Sequence, residues 1–321
     1  MIISPPKLAI LIPCFNEQEV LVQTTTEILQ ILNNLIAQQK IAANSFICFI
    51  DDGSFDASWE FIQRLHSENT QVTGIKLSRN FGHQNALFCG LMHCKNKADC
   101  LISIDADLQD DIHSIEKFID HYQQGCQIVY GVRKKRDVDS YFKKFTAHCF
   151  YKMMGWLGTQ TIPQHADFRL ISSKVAGHLA NYNEFNLFLR GLFPLIGFKT
   201  ATVTYERQKR LAGESKYPLR KMLAFSLDAI TSFSVSPLRC IALLGVIFFI
   251  SSILMSIYIV LQAKVLHETI PGWASTVLPI YFIGGIQLLS IGIIGEYVGK
   301  IYAETKARPR YIVESELFHN E

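Results

Sequence analysis

The chain is poor in charge and has no concentration of either sign. Only 18% of its 321 residues are Asp, Glu, Lys or Arg, and 31 basic against 28 acidic side chains leave a net charge of +3. The lack of a long run of one sign speaks against a surface built to coat nucleic acid. The eight cysteines contain no CxxC pair, and Cys89, His93, Cys94 and Cys100 match no common zinc spacing. They read as reduced thiols in or near a core. The opening MIISPPKLAILIPCFNE lacks a basic n-region and a long apolar run with a cleavage site. No signal peptide is expected, and the polar part of the chain is expected in the cytosol.

Apolar residues, by contrast, make up 49% of the chain, which speaks against disorder. Their distribution divides it near Pro237. Ile241 to Leu261 (IALLGVIFFISSILMSIYIVL) and Ser275 to Gly295 (STVLPIYFIGGIQLLSIGIIG) carry no charge. Each approaches the ~20 apolar residues that cross a bilayer core as a helix. Arg220, Lys221 and Arg239 precede the first run, and Lys300, Lys306, Arg308 and Arg310 follow the second; Lys264 and Glu268 cancel in the connector. The positive-inside rule therefore predicts a transmembrane hairpin with both termini cytoplasmic, in a multi-pass protein of the inner (plasma) membrane. Ser140 to Gly158 and Tyr217 to Phe233 mix basic with aromatic and aliphatic side chains, as helices in the headgroup plane do. Packing on a soluble core explains the first of these equally well. Gly284, Gly285, Gly292 and Gly295, with Gln287 and Glu296, predict close helix contacts and a homo-oligomer.

The N-terminal part alternates strand and helix. Leu8 to Pro13, Phe46 to Ile50, the VTGIKLS run, Leu101 to Ile104 and Gln127 to Arg133 read as strands, with helical stretches between them. That alternation predicts a mostly parallel sheet covered on both faces. Polar motifs fall just past the strand ends, the edge where open α/β sheets bind ligands. Asp105-Ala106-Asp107 follows one strand, and a turn that converges its carboxylates makes hard oxygen ligands for Mg²⁺ or Mn²⁺, with Gln109 adding a neutral oxygen. Helix capping by Asp110 or Asp111 is the plainer reading of part of this loop. Asp51-Asp52-Gly53-Ser54 predicts a tight turn with Ser54 capping the next helix and a carboxylate free for base or sugar groups. Asn16 and Glu17 face the same edge.

In that order PCFNE (Pro13 to Glu17), IDDGS (Ile50 to Ser54), LSRNFGHQNAL (Leu77 to Leu87) and DADLQD (Asp105 to Asp110) resemble inverting nucleotide-sugar glycosyltransferases of the GT-A type. More narrowly, DFRLIS (Asp167 to Ser172), FLRGL (Phe188 to Leu192), ERQKRLAGESKY (Glu206 to Tyr217) and the terminal hairpin are similar to polyprenyl-phosphate glycosyltransferases, a group that includes bactoprenol glucosyltransferases and dolichyl-phosphate mannose synthase. The likeness runs from about Leu8 to about Arg310, and Phe15 stands where tyrosine is frequent.

The resemblance implies an α/β, GT-A Rossmann-like, mostly parallel sheet with interfacial helices and a two-helix membrane hairpin. It divides the chain into a cytosolic catalytic domain over 1–216 (with an interfacial helix at about 140–158), an interfacial helix over 217–236, two transmembrane helices over 237–302 and a cytosolic tail over 303–321. Pro13, Phe15, Glu17, Ile50 and Asp52 are expected around the nucleoside, and Asp105, Asp107 and Gln109 on the metal, with Ala106 contributing backbone. Arg133, Arg210 and Lys216 are expected on phosphates. Asp167 is implied as the base, or as a group that orients the acceptor. The implied reaction moves a sugar, glucose from UDP-glucose in the first instance, to undecaprenyl phosphate in the bilayer with inversion. GDP-mannose, UDP-N-acetylhexosamine and a UDP-aminoarabinose derivative stay open as donors. No Trp follows an Arg, so the QxxRW motif of processive synthases is missing. A non-catalytic scaffold or lipid translocator would have lost a metal Asp or the SKY triplet, and both are intact.

Overall fold

The computed structural model describes residues 4–134, 165–182, 184, 189–206, 236–261 and 273–319. It divides into two compact units, one of Met1–Ala147, Gln160–Tyr217 and Ala307–Glu321, the other of His148–Thr159 and Pro218–Lys306. In the first, β1 (Leu8–Cys14), β2 (Phe46–Asp51), β3 (Val72–Leu77) and β4 (Cys100–Ser103) alternate with α1 (Leu21–Ala37), α2 (Ser58–Glu68) and α3 (His83–Cys94). Next come α4 (Ser114–Gln123), β5 (Ile128–Arg133), β6 (His165–Ser172), α5 (Ser173–Leu179), α6 (Leu189–Ile196) and β7 (Thr200–Tyr205). The second unit holds α7 (Ser236–Leu261) and α8 (Trp273–Thr305), after which the chain returns to the first unit as β8 (Val313–Leu317).

The eight strands form one sheet in the order β7-β5-β6-β4-β1-β2-β3-β8. Six run the same way, and β6 and β8 oppose them. Every residue of β1 and β2 is buried, as central strands covered on both faces require. Leu8, Ile10 and Ile12 join Leu21, Ile28 and Leu32 of α1 and Ile115, Phe118 and Ile119 of α4 in one core. On the other face Leu11 and Ile50 reach α3 at Gly90, where an added Cβ would come within 2.7 Å of the Ile50 Cδ1. Because β1 pairs with β2 on one side and β4 on the other, the direction of winding reverses between β1 and β4. In open α/β sheets such a point is where ligands bind, outside the carboxyl ends of the strands.

Several local expectations change. Ser54 does not cap α2, which starts at Ser58; its hydroxyl instead accepts the Asn16 amide at 2.9 Å. Of the two candidates for the start of α4, Asp110 gives its carboxylate to Arg133 and Tyr205, while the Asp111 carboxylate accepts the His113 amide at 3.1 Å and the Ser114 hydroxyl at 3.2 Å. Residues 303–321 are more than a tail. Strand β8 pairs with β3 from Gly74–Leu317 to Leu77–Val313, and Lys76 meets Glu314 at 2.8 Å. The segment 140–158 and all of 217–236 except Ser236, read as interfacial, lie outside the described residues.

Among the described residues, one helical stretch, Phe282–Thr305, is long and apolar enough to cross a membrane by length and composition. Helix α7 spans 26 residues and carries the other uncharged run. Leu243, Leu254, Leu288 and Ile291 are among its and α8's exposed apolar side chains, and the two helices touch through Phe248 and Phe282, whose ring centroids are 5.5 Å apart. A helix apolar on all sides is stable in lipid or inside protein, not in water.

Candidate active site at the carboxyl edge

The loops after β1 and β2 are laced together. Asn16 adopts a left-handed backbone (φ 54°), a conformation its short amide tolerates, and its Oδ1 accepts the Phe55 amide at 2.8 Å. In return the Ser58 hydroxyl accepts the Glu17 amide at 3.0 Å, and the Phe15 and Phe55 rings meet edge to face at 6.0 Å. Gly53 (φ 68°) passes so close to the next loop that a Cβ would lie 2.4 Å from the Arg79 carbonyl carbon. Pro13 and Ile50 are buried in their strands, while Phe15 is exposed and Glu17 partly so.

The Asp52 carboxylate holds the loop before α3, accepting the Phe81 amide at 2.7 Å and the Gly82 amide at 2.9 Å. Burial pushes its pKa up, and the two amide hydrogen bonds only partly offset that. A carboxylate oxygen has lone pairs for more than one donor, and Asp52 itself is buried.

Strand β6 brings the distant Asp167 to Asp105. Its antiparallel register sets Ser103 against Arg169 and Ile102 against Leu170, so the same count continued past the end of β4 sets Asp105 opposite Asp167. The Ser103 hydroxyl donates to the Asp167 carbonyl at the join. On the Asp105 side Leu108 is left-handed (φ 50°), the Asp107 Oδ1 accepts the Gln109 amide at 3.2 Å, and the Ala106 carbonyl accepts the Thr24 hydroxyl at 2.7 Å. Ala106 and Gln109 are buried. The His83 Nε2 stands 3.7 Å from both Asp105 and Asp167.

This is a crowd of carboxylates. Desolvation raises the Asp105 pKa, and the charges of Asp167, Asp110 and Asp107 raise it further against the pull of His83. Asp167 moves the other way. Burial alone would raise it, but the Arg169 charge, the Arg190 hydrogen bond and the Arg190 charge hold it well below the usual carboxylate range. Arg169 donates to the Asp167 Oδ1 from full burial. Arg190 clamps both oxygens, Nε to Oδ1 at 3.0 Å and Nη2 to Oδ2 at 2.8 Å. On the other flank Arg133 gives Nε and Nη2 to the Asp110 Oδ1 at 3.1 and 3.0 Å, and the Tyr205 hydroxyl donates to the same oxygen at 2.6 Å. Among the described residues the buried Asp110 Oδ2 has no hydrogen-bond partner.

Asp105 and Asp107 suit a hard dication. Among the described residues no three His, Cys, Asp or Glu side chains are gathered to hold a metal. Mg²⁺ and its like do not need that many, because they bind through one or two carboxylates together with waters and substrate phosphates. The repulsion raising Asp105 is the kind of strain a cation relieves.

Sequence reasoning named Asp105, Asp107, Asp167 and Arg133, and the structure brings all four to this edge. Arg210 and Lys216 lie outside the described residues. His83, Arg169, Arg190, Tyr205 and the arginine-holding role of Asp110 were missed. His83, Arg169 and Arg190 sit inside the recognised runs LSRNFGHQNAL, DFRLIS and FLRGL, so the runs were the signal and only the pairing was hidden.

Replacing Asp105 with Asn removes one charge from the crowd. With chelator present, Asp105→Asn should raise Tm at neutral pH by about 1–3 °C, a small gain because the side chain keeps 38% of its surface in solvent. The gain should shrink as pH falls through the raised Asp105 pKa, where the wild-type group is itself neutral. Thermal unfolding of the two proteins across pH checks it, and a lower Tm for the variant contradicts the crowding account.

The profile of the family described as "Glycosyl transferase family 2" matches residues 9–179. Over 99% of its length the chain is 49% identical to the "Uncharacterized glycosyltransferase YkoT" of Bacillus subtilis (strain 168), covering 94% of that protein. It is 36% identical to the "Bactoprenol glucosyl transferase" of Shigella phage SfX, across 96% of this chain and 99% of the phage protein. Among solved structures, glucosyl-3-phosphoglycerate synthase from Mycobacterium tuberculosis overlays with a TM-score of 0.45 at 15% identity, covering 70% of this chain and 76% of that one. With a profile match across more than half the chain, and relatives aligned along nearly all of it, the protein belongs to glycosyl transferase family 2 and is a glycosyltransferase.

Proposed function

We propose that the protein transfers glucose from UDP-glucose to a membrane polyprenyl phosphate, undecaprenyl phosphate being the expected carrier, with inversion at the anomeric carbon. The lipid-linked sugar would then serve the modification of a surface glycan or glycolipid. The observation that carries this reading is the end-to-end likeness to a bactoprenol glucosyl transferase, which extends through the apolar helices as well as the catalytic sheet.

Phe15, Glu17 and Asp52, with the buried Pro13 and Ile50 shaping the wall behind them, would receive the nucleoside. Mg²⁺ or Mn²⁺ held by Asp105 and Asp107, with Gln109 in the same turn, would offset charge on the departing diphosphate as a Lewis acid. Arg133, and Arg210 and Lys216 from their loop, would bind phosphate oxygens. The acceptor's ionised phosphate oxygen attacks the anomeric carbon, and the bond to the nucleoside diphosphate breaks with its electron pair leaving on the diphosphate. A phosphomonoester has its second pKa near ~6, so no strong base is needed to make this nucleophile.

The pairing of β8 with β3 supports a membrane hairpin. Strand β8 follows α8 in sequence yet pairs with β3 in the catalytic sheet, so the chain must cross a bilayer an even number of times between β7 and β8. If α8 crosses, α7 crosses back, and the catalytic unit and C-terminus share a side. The positive-inside pattern makes that side the cytoplasm. Gly284, Gly292 and Gly295, with open space where a Cβ would stand, are where self-association would occur. Cysteines placed in 262–272 and after Leu317 test this in intact cells: an impermeant thiol reagent should label the first position and spare the second, and equal labelling contradicts the hairpin.

The reaction is tested with purified protein in lipid, undecaprenyl phosphate, Mg²⁺ or Mn²⁺ and a panel of labelled nucleotide sugars. Label should pass from UDP-glucose into organic-extractable lipid, and Asp107→Ala should reduce the rate by at least about 100-fold. Transfer from another donor would replace the sugar assignment, and no transfer from any donor would count against the reaction.

A further inference from the structure

Two arginines on opposite flanks of the acidic turn are held in the same way. Arg133 turns its Nε–Nη2 edge to Asp110, and Arg190 turns its Nε–Nη2 edge to Asp167. In both, Nη1 makes no hydrogen bond to a described residue, and the side chain is partly open, 30% for Arg133 and 36% for Arg190. Each supporting carboxylate is buried and held by a further group, Asp110 by the Tyr205 hydroxyl and Asp167 by Arg169. Asp167 stands opposite Asp105 with His83 3.7 Å from both, and the strand that carries Arg133 pairs with the one that carries Asp167, so the two arginines flank the same acidic turn. The Arg133 charge works against that of Arg190.

Asp167 answers two guanidinium groups, Arg169 and Arg190, with one charge, which leaves positive charge for an incoming anion. A guanidinium fixed along one edge has little rotamer freedom left to lose, and its other edge keeps donors in a plane that matches phosphoryl oxygens. The carboxylate of Asp167 is poorly placed to take a proton, because protonation would strip the buried Arg169 of its anion and release the Arg190 clamp.

We propose that Arg133 and Arg190 form a two-guanidinium fork for a phosphoryl group, and that Asp110 and Asp167 are positioning residues that aim it, Asp167 accepting no proton during transfer. Arg190 is thereby a phosphate-binding residue of the site. The proposal rests on the sugar-transfer reading above, in which two phosphoryl groups meet here: the diphosphate of the donor and the phosphomonoester of the lipid. Bond making and breaking balance without Asp167, since the attacking oxygen is already ionised and the electron pair departs with the nucleoside diphosphate.

Full-length protein in lipid, with UDP-glucose (or whichever sugar donor proves active) and a short-chain polyprenyl phosphate, provides the test. Arg190→Gln should raise KM for one of the two substrates by about 10- to 100-fold, the loss expected with a charge-assisted hydrogen bond, while kcat falls less. A KM change for the lipid assigns the fork to the acceptor, and one for the nucleotide sugar assigns it to the donor. Arg190→Lys, which keeps charge and bulk, should recover only part of the loss. Asp167→Asn should show the same KM pattern, and Arg190→Gln with Asp167→Asn should be no worse than the more impaired single variant, as expected of residues acting as one unit. Unchanged KM for both substrates in Arg190→Gln, or a collapse of kcat in Asp167→Asn at unchanged KM, overturns the proposal. If wild type transfers no sugar, the functional reading fails separately, and calorimetry with UDP and with the short-chain polyprenyl phosphate still decides the fork. Weaker binding of either by Arg190→Gln supports it, and equal binding of both overturns it.

Discussion

The site depends on the gathering of four carboxylates, Asp105, Asp107, Asp110 and Asp167, at the point where the winding of the sheet reverses. Such a crowd is unstable unless each charge has an answer. The chain answers two of them itself, placing Arg133 against Asp110 and Arg169 with Arg190 against Asp167. Asp105 meets His83 at 3.7 Å, and on the proposed reading a divalent cation arriving with the donor would add to that positive charge. Fixed positive charge that aims a phosphoryl group would then be separate from exchangeable positive charge that leaves with a product.

The fold serves that arrangement by two departures from simple alternation. Strand β6 enters antiparallel between β4 and β5 and delivers Asp167 opposite the first Asp of the acidic turn. Strand β8 returns from beyond α8 to pair with β3, with Tyr311 meeting the Phe88 ring of α3 edge to face at 6.4 Å. The segment that follows the apolar helix is thus bound into the catalytic sheet, which fixes the parity of any membrane crossing between them.

The first five strands and their helices were legible in the sequence because their signals are local: short apolar runs such as FICFI, then a polar turn, then a helical period. The acidic turn and Asp52 were legible for the same reason. Strand β6 was not, since nothing in HADFRLIS tells a reader that it will insert against β4 more than sixty residues earlier. VESEL carries two charges in five residues and reads as a solvated tail; it is an edge strand whose Glu314 and Glu316 find Lys76 and His93 in space. The place of Arg133 at the end of β5 was legible, but its clasp by Asp110 and Tyr205 depends on β5, β7 and the β4–α4 loop meeting. Ser54 was misassigned because a cap and a loop-to-loop tie use the same hydroxyl and the same sequence pattern.

On the proposed reading, Asp105 and Asp107 take up a divalent cation together with the donor diphosphate. Electron paramagnetic resonance of Mn²⁺ titrated into the purified protein, with and without UDP, measures this directly. The free Mn²⁺ signal should fall with one-to-one stoichiometry when both UDP and protein are present, and Asp107→Ala should lose most of that uptake beyond what UDP alone binds. Wild type and Asp107→Ala indistinguishable in Mn²⁺ uptake, with sugar transfer undiminished in chelator, would contradict it.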